Sequence, residues 1–148
     1  MDKTLIIILV IIVILVGAGF YVFNKPVKIN NQNQNMQDTT QPEVKIEILT
    51  EGVGEGAKAG NKVTVDYTGT LTDGTKFDSS IDRGQPFTLT LGQNSVIQGW
   101  ELGLVGMKVG EKRKLTIPPE LGYGSQAVGT AIPANSTLIF EIDMISIN

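Results

Sequence analysis

Apolar residues in this chain recur with a period of two over several separate runs, which commits each run to a β-strand with one buried face. Val63, Val65 and Tyr67 share a face with Thr64 and Asp66 opposite, and Leu89 with Leu91 and Leu115 with Ile117 repeat the pattern. Near the end, Leu138, Phe140, Ile142 and Met144 fall on one side, with Glu141 and Asp143 on the other. Lys45 to Thr50 alternates as KIEILT. Polar residues at every second position leave one face in water, as antiparallel sheets allow. Gly52, Gly54, Gly56, Gly60, Asp73-Gly74, Gly106 and Gly110 are expected to form the turns, each glycine supplying a positive φ. Only one interior segment reads as a helix: after Asn94-Ser95, Ile97, Trp100, Leu104 and Val105 recur at spacings of three and four or close to it. Asn94 or Ser95 is the expected N-cap and Gly106 the stop. The expected fold is α+β, a curved antiparallel sheet wrapped around one short helix, with Tyr67, Trp100 and Phe140 meeting between the two.

The first residues obey a different rule. Leu5 to Phe23 is an uncharged apolar run of 19 residues without amphipathic spacing. As a helix it would span roughly 28 Å, close to the thickness of a bilayer's hydrocarbon core. Residues 5–23 are therefore expected to form a single transmembrane anchor behind a short head, residues 1–4. Val16-Gly17-Ala18 offers the alternative of a cleaved signal peptide, but Phe20, Tyr21, Val22 and Phe23 continue the apolar run past it and suit a membrane interface belt. Residues 24–43, rich in Asn, Gln and Thr, cannot bury enough apolar surface to order themselves and read as a flexible linker. The globular domain is expected over residues 44–148. Lys25 and Lys28 after the span argue for a cytoplasmic domain, whereas the Lys3 head resembles a signal n-region that sends it out. The expectation adopted is single-pass membrane localisation with an extracytoplasmic domain.

Composition removes much of the enzyme catalogue. The chain contains no His and no Cys, so Ser-His-Asp and Cys-His relays, imidazole bases and His/Cys zinc sites are excluded. A formal charge of −3 lacks the basic footprint of a nucleic-acid binder. Yet Tyr67, Phe77, Phe87, Trp100 and Tyr123, most of the few aromatics, crowd between Val63 and Gly124. An aromatic cluster without a nucleophile or metal ligand suits binding or conformational catalysis.

Four ordered blocks carry a resemblance: VDYTGTLTDGTKFDSS, the series PF, LG and VIQGWELGL, then KLTIPPELGYG, and the closing IPANSTLIFEIDMISI. Together they resemble the FKBP-type peptidyl-prolyl cis-trans isomerases over essentially the whole domain. The resemblance implies a proline pocket floored by Trp100 and walled by Tyr67, Phe77, Val96, Ile97 and Phe140. Asp78 is implied as its buried carboxylate, paired with Arg83, and Tyr123 as a hydroxyl donor on the rim. The catalytic set is then Tyr67, Phe77, Asp78, Ile97, Trp100, Tyr123 and Phe140, with Arg83, Phe87, Val96, Val128, Ala131 and Ile132 binding substrate.

By the same resemblance no cofactor or metal is needed, the partners are proline-containing segments of folding proteins, and an FK506-type macrolide is a possible ligand. Val128 and Ala131 stand where larger or polar residues are common in the family, and Ser95 where an acidic one is frequent. The short Tyr123 to Pro133 segment leaves no room for the chaperone domain inserted there in some bacterial relatives. The implied function is a membrane-anchored prolyl isomerase assisting protein folding; the alternative is a peptide-binding module of the same fold with little activity.

Overall fold

A computed structural model describes residues 41–148. The expected head, the span over 5–23 and the linker as far as residue 40 lie outside the described residues. Among the described residues, no helix is long and apolar enough to cross a membrane.

The strands are β1 (Lys45–Thr50), β2 (Lys62–Leu71), β3 (Lys76–Ser79), β4 (Phe87–Thr90), β5 (Lys112–Ile117) and β6 (Leu138–Ile147). They form one antiparallel sheet in the order β1-β5-β6-β2-β3. β2 is long enough for two neighbours on its outer edge: β3 pairs with Thr68 to Thr70, and β4 with Lys62 to Val65. At the β2–β3 turn Gly74 takes φ +87°, and the Asp73 carboxylate accepts the Thr75 N–H at 2.9 Å.

The period-two faces lie where the alternation puts them. Val63, Val65 and Tyr67 of β2, Leu115 and Ile117 of β5, and Leu138, Phe140, Ile142 and Met144 of β6 are all buried. The helix α2 (Gln98–Leu104) packs on this face. Gly99 and Gly103 let it approach closely, since a Cβ at either would collide with the side chain of Ile117 or Leu115.

The structure departs from the sequence expectations in several places. β1 has the predicted alternation but little of the predicted burial: Ile46 and Ile48 remain 44% and 49% exposed. β1 is an edge strand, paired only with β5. α2 begins at Gln98, and its N-cap residue is Ile97, which makes no side-chain capping bond, so neither Asn94 nor Ser95 caps it. Val105 is its C-cap residue and is exposed rather than part of the core face. A single-turn helix, α1 (Ser80–Arg83), and a 3-10 turn (Pro119–Leu121) accompany it. Among the glycines expected at positive φ, Gly52 and Gly56 have none. They are required by proximity instead: a Cβ at Gly56 would lie 2.6 Å from the Gly106 carbonyl oxygen, and one at Gly52 would lie 2.8 Å from Glu111.

One ion pair occupies the core face. Arg113 of β5 takes the inward parity of Leu115 and Ile117 and is 7% exposed, and Glu111, which it pairs, is 1% exposed. Arg113 Nη1 donates to the carbonyls of Gly103 at 2.8 Å and Val105 at 3.1 Å. Those are carbonyls that the end of a helix leaves without partners. Glu111 also accepts the Lys108 N–H at 2.9 Å, so both charges are bound on several sides.

Candidate active site

Where α2 crosses the sheet, six aromatic side chains line an open cavity of about 290 Å³. Trp100 projects from α2, with its ring centroid 5.1 Å from Tyr67, 5.2 Å from Phe140 and 5.9 Å from Phe87. Phe77 of β3 meets Phe140 at 5.5 Å. All of these contacts are edge-to-face, the arrangement that the ring quadrupole favours. Phe77 and Phe140 close over Gly69 of β2, where a Cβ would come within 2.6 Å of one ring and 2.8 Å of the other. The indole N–H of Trp100 is buried without a partner among the described residues.

A polar network lies at one end. The Tyr67 hydroxyl donates to Asp78 Oδ2 at 2.5 Å and accepts from Arg83 Nη2 at 3.0 Å, while Arg83 Nη1 pairs with Asp78 Oδ1. The Ser79 N–H adds a fourth bond at 2.8 Å. α1 creates this geometry: Ser79 caps its start, Gly84 ends it in the left-handed region, and the single turn brings Arg83 back over Asp78 and the Tyr67 ring. The fully buried Ser80 hydroxyl accepts the Tyr67 N–H at 2.9 Å and donates to Asp66 at 2.7 Å, which joins α1 to β2.

Electrostatics follow from these contacts. Burial alone would lift the Asp78 carboxyl, but the bonds from Tyr67 and Arg83, the Arg83 charge and the Ser79 N–H outweigh it and hold the group below its ordinary range. Burial pushes the Tyr67 phenol up, and the bond to Asp78 pushes it further. The site thus holds an anion and a neutral phenol side by side at neutral pH.

The mouth is built from loops. Ile97 takes φ −58° and ψ 148° before α2, and its carbonyl accepts the Trp100 N–H at 2.9 Å. Its own N–H donates to nothing among the described residues. Opposite, Val128 and Ile132 bridge each other at 2.9 and 3.2 Å, making a tight loop tip beside Ala131. Tyr123 follows the 3-10 turn with its ring half exposed at the rim.

Twelve of the thirteen residues singled out in the sequence line this one cavity: Tyr67, Phe77, Asp78, Phe87, Val96, Ile97, Trp100, Tyr123, Val128, Ala131, Ile132 and Phe140. Arg83 stands behind the wall, bonded to two of its members. Sequence reasoning missed Ser80, Glu101 and the Glu111–Arg113 pair. For Arg113 a signal existed in its parity with Leu115 and Ile117; a buried serine hydroxyl leaves none.

A family model described as FKBP-type peptidyl-prolyl cis-trans isomerase matches residues 54–145, which include all of these positions. The chain belongs to this family. As an FKBP-type domain it is a peptidyl-prolyl cis-trans isomerase, and its relatives agree. It is 56% identical over 105 residues to "FK506-binding protein 1A" of Neurospora crassa, covering 70% of this chain and 88% of that protein. It is 47% identical over 106 residues to a "Peptidyl-prolyl cis-trans isomerase" of Schizosaccharomyces pombe, covering 71% and 95%. Among solved structures it resembles FkpA from Escherichia coli, with a TM-score of 0.65, 43% identity and 71% of this chain covered. It spans about half of that protein, 48% of the FkpA chain.

Proposed function

We propose that this FKBP-type isomerase works from a membrane tether and turns Xaa-Pro bonds inside the aromatic cavity without covalent chemistry. The observation that carries the catalytic part is a box of edge-to-face rings holding no nucleophile, with an unengaged backbone N–H at its lip. Rotation about a prolyl amide breaks no covalent bond; its barrier of roughly 18–20 kcal/mol is lost amide resonance. The planar amide is the more dipolar state and the twisted amide the less, so an apolar enclosure favours the twisted one. That is binding energy directed at the transition state. The prolyl ring rests on Trp100 between Tyr67, Phe77, Val96 and Phe140. The Ile97 N–H and the Tyr123 hydroxyl hold peptide carbonyls, and Phe87, Val128, Ala131 and Ile132 contact the flanking residues. Asp78, oriented by Tyr67 and Arg83, sets the polar end of the pocket and acts as neither acid nor base. Relatives carry the name FK506-binding protein, and macrolides of that type are expected to compete with peptide here.

Asp78→Ala is expected to lower kcat/KM about tenfold, the scale of one lost charge-assisted hydrogen bond. Unchanged kinetics would remove Asp78 from the site. The pH dependence has a definite sign. A carboxyl held below its ordinary value contributes fully above the unfolded pKa of about 3.9, and that contribution is lost as pH falls through the lower folded value. Activity set by Asp78 should therefore stay level from neutral pH down to about 4 and fall only below it, and Asp78→Asn should flatten that acid limb. An acid limb nearer neutrality, still present in the variant, would mean that another group governs it.

Tethering rests on the uncharged run Leu5 to Phe23 and the polar tract after it. The anchored chain should stay in the membrane pellet after carbonate extraction, and in intact cells added protease should remove the extracytoplasmic domain. Release by carbonate would refute the anchor; a domain protected until the cells are opened would reverse the orientation.

A further inference from the structure

We infer that Glu101, outside the pocket, is a positioning residue that holds the Gly92 to Ile97 segment in the shape in which it meets substrate. This rests on the reading of the aromatic cavity as the proline site. The segment carries Val96 and Ile97, one wall of the cavity and its free N–H, yet it has little structure of its own. Gly92 and Asn94 both take left-handed conformations, at φ +83° and +51°. Asn tolerates that region better than most residues but still adopts it at a cost. No side chain caps α2 at Ile97.

The tie comes from inside the helix. Glu101, in the first turn of α2, reaches back so that Oε2 accepts the Gly92 N–H at 2.7 Å and Oε1 accepts the Asn94 N–H at 2.9 Å. Between Gly92 and Ile97, these are the only backbone N–H groups with a partner among the described residues. Upstream, buried Leu91 is fixed by its bonds to Asn61 and Gly60. Downstream, α2 is held at its far end by Arg113. One carboxylate therefore closes the span between two fixed points, with charge-assisted bonds stronger than those a neutral acceptor would make. Adjacent to Trp100 on the helix, it couples the lip of the pocket to its floor.

A group that preorganises a binding loop acts on substrate affinity first. The experiment compares the full chain in detergent with its Glu101→Ala and Glu101→Gln variants. It reads KM and kcat for an Xaa-Pro-Phe peptide, thermal unfolding, and exchange at the Gly92 and Asn94 amides. Glu101→Ala is expected to raise KM about tenfold with kcat within about threefold, as for a lost ordering contact. Glu101→Gln, which keeps one acceptor oxygen, should fall between it and the wild type. Wild-type Gly92 and Asn94 amides should be protected, and the Ala variant should lose that protection whether or not the cavity binds proline. A KM within twofold of wild type in the Ala variant, or a loss of kcat alone, overturns the inference. Equal damage in both variants that tracks melting temperature also overturns it, because it marks a purely structural residue. If the Ala variant fails to fold, the Gln variant decides alone by the same shift in KM. Unprotected wild-type amides refute the clamp itself, whereas protected amides with no catalysed turnover place the fault in the pocket reading.

Discussion

Arg113→Ala is expected to destabilise the domain by about 3–5 kcal/mol, the usual result of leaving one member of a buried ion pair unpaired. Glu111 would remain almost wholly excluded from water, with only the Lys108 N–H to bind its charge. The carbonyls of Gly103 and Val105 would lose their donor, loosening the end of the helix that carries Trp100. Urea unfolding followed by Trp100 fluorescence measures the change, since the chain has one tryptophan. Replacing both partners together, Glu111→Leu with Arg113→Met, should recover part of the loss, because no charge is left buried although the Gly103 and Val105 carbonyls stay without their donor. A loss below about 1 kcal/mol in the single variant would show that water reaches Glu111 and that the pair is not closed.

Trp100→Ala should have the largest effect on catalysis, lowering kcat/KM on the order of a hundredfold, close to 3 kcal/mol of transition-state binding. Tyr67, Phe87 and Phe140 each pack edge-on against this indole, so its removal takes away the floor and the shared neighbour of three walls. A cavity of that size also costs about 3–5 kcal/mol of stability. Trp100→Leu, which fills part of the space, separates the two effects: stability should largely return while kcat/KM stays low. If the leucine variant matched the wild type in turnover, an aromatic floor would not be what the reaction needs.

The sheet was legible because burial on one face imposes a period of two, and that period survives in β2, β5 and β6 residue by residue. What escaped notice was short or non-local. α1 has one turn, too few residues for a helical period to register, yet it is the element that delivers Arg83 to Asp78. Asn94 and Ser95 look like caps in sequence, yet the helix starts later, at Gln98, and the loop is fastened by Glu101 from within the helix. Gly52 and Gly56 resemble turn glycines in sequence; only the approach of Glu111 and Gly106 reveals why they lack side chains. The cavity is a different case. Nothing in the spacing of Tyr67, Trp100 and Phe140 separates a pocket from an ordinary core, and the family resemblance supplied that distinction. The structure brings twelve of the positions the resemblance names around one cavity, with Arg83 behind its wall.

We hold that this cavity twists prolyl amides without covalent chemistry, by apolar enclosure together with the hydrogen bonds that orient the peptide. Cis-to-trans relaxation of a short Xaa-Pro-Phe peptide, followed with increasing amounts of the chain and then with an FK506-type macrolide, tests it most directly. The rate should rise in proportion to the protein and return to the uncatalysed value once the macrolide fills the cavity. Relaxation no faster than in buffer, or acceleration that persists with the macrolide bound in the cavity, would contradict it.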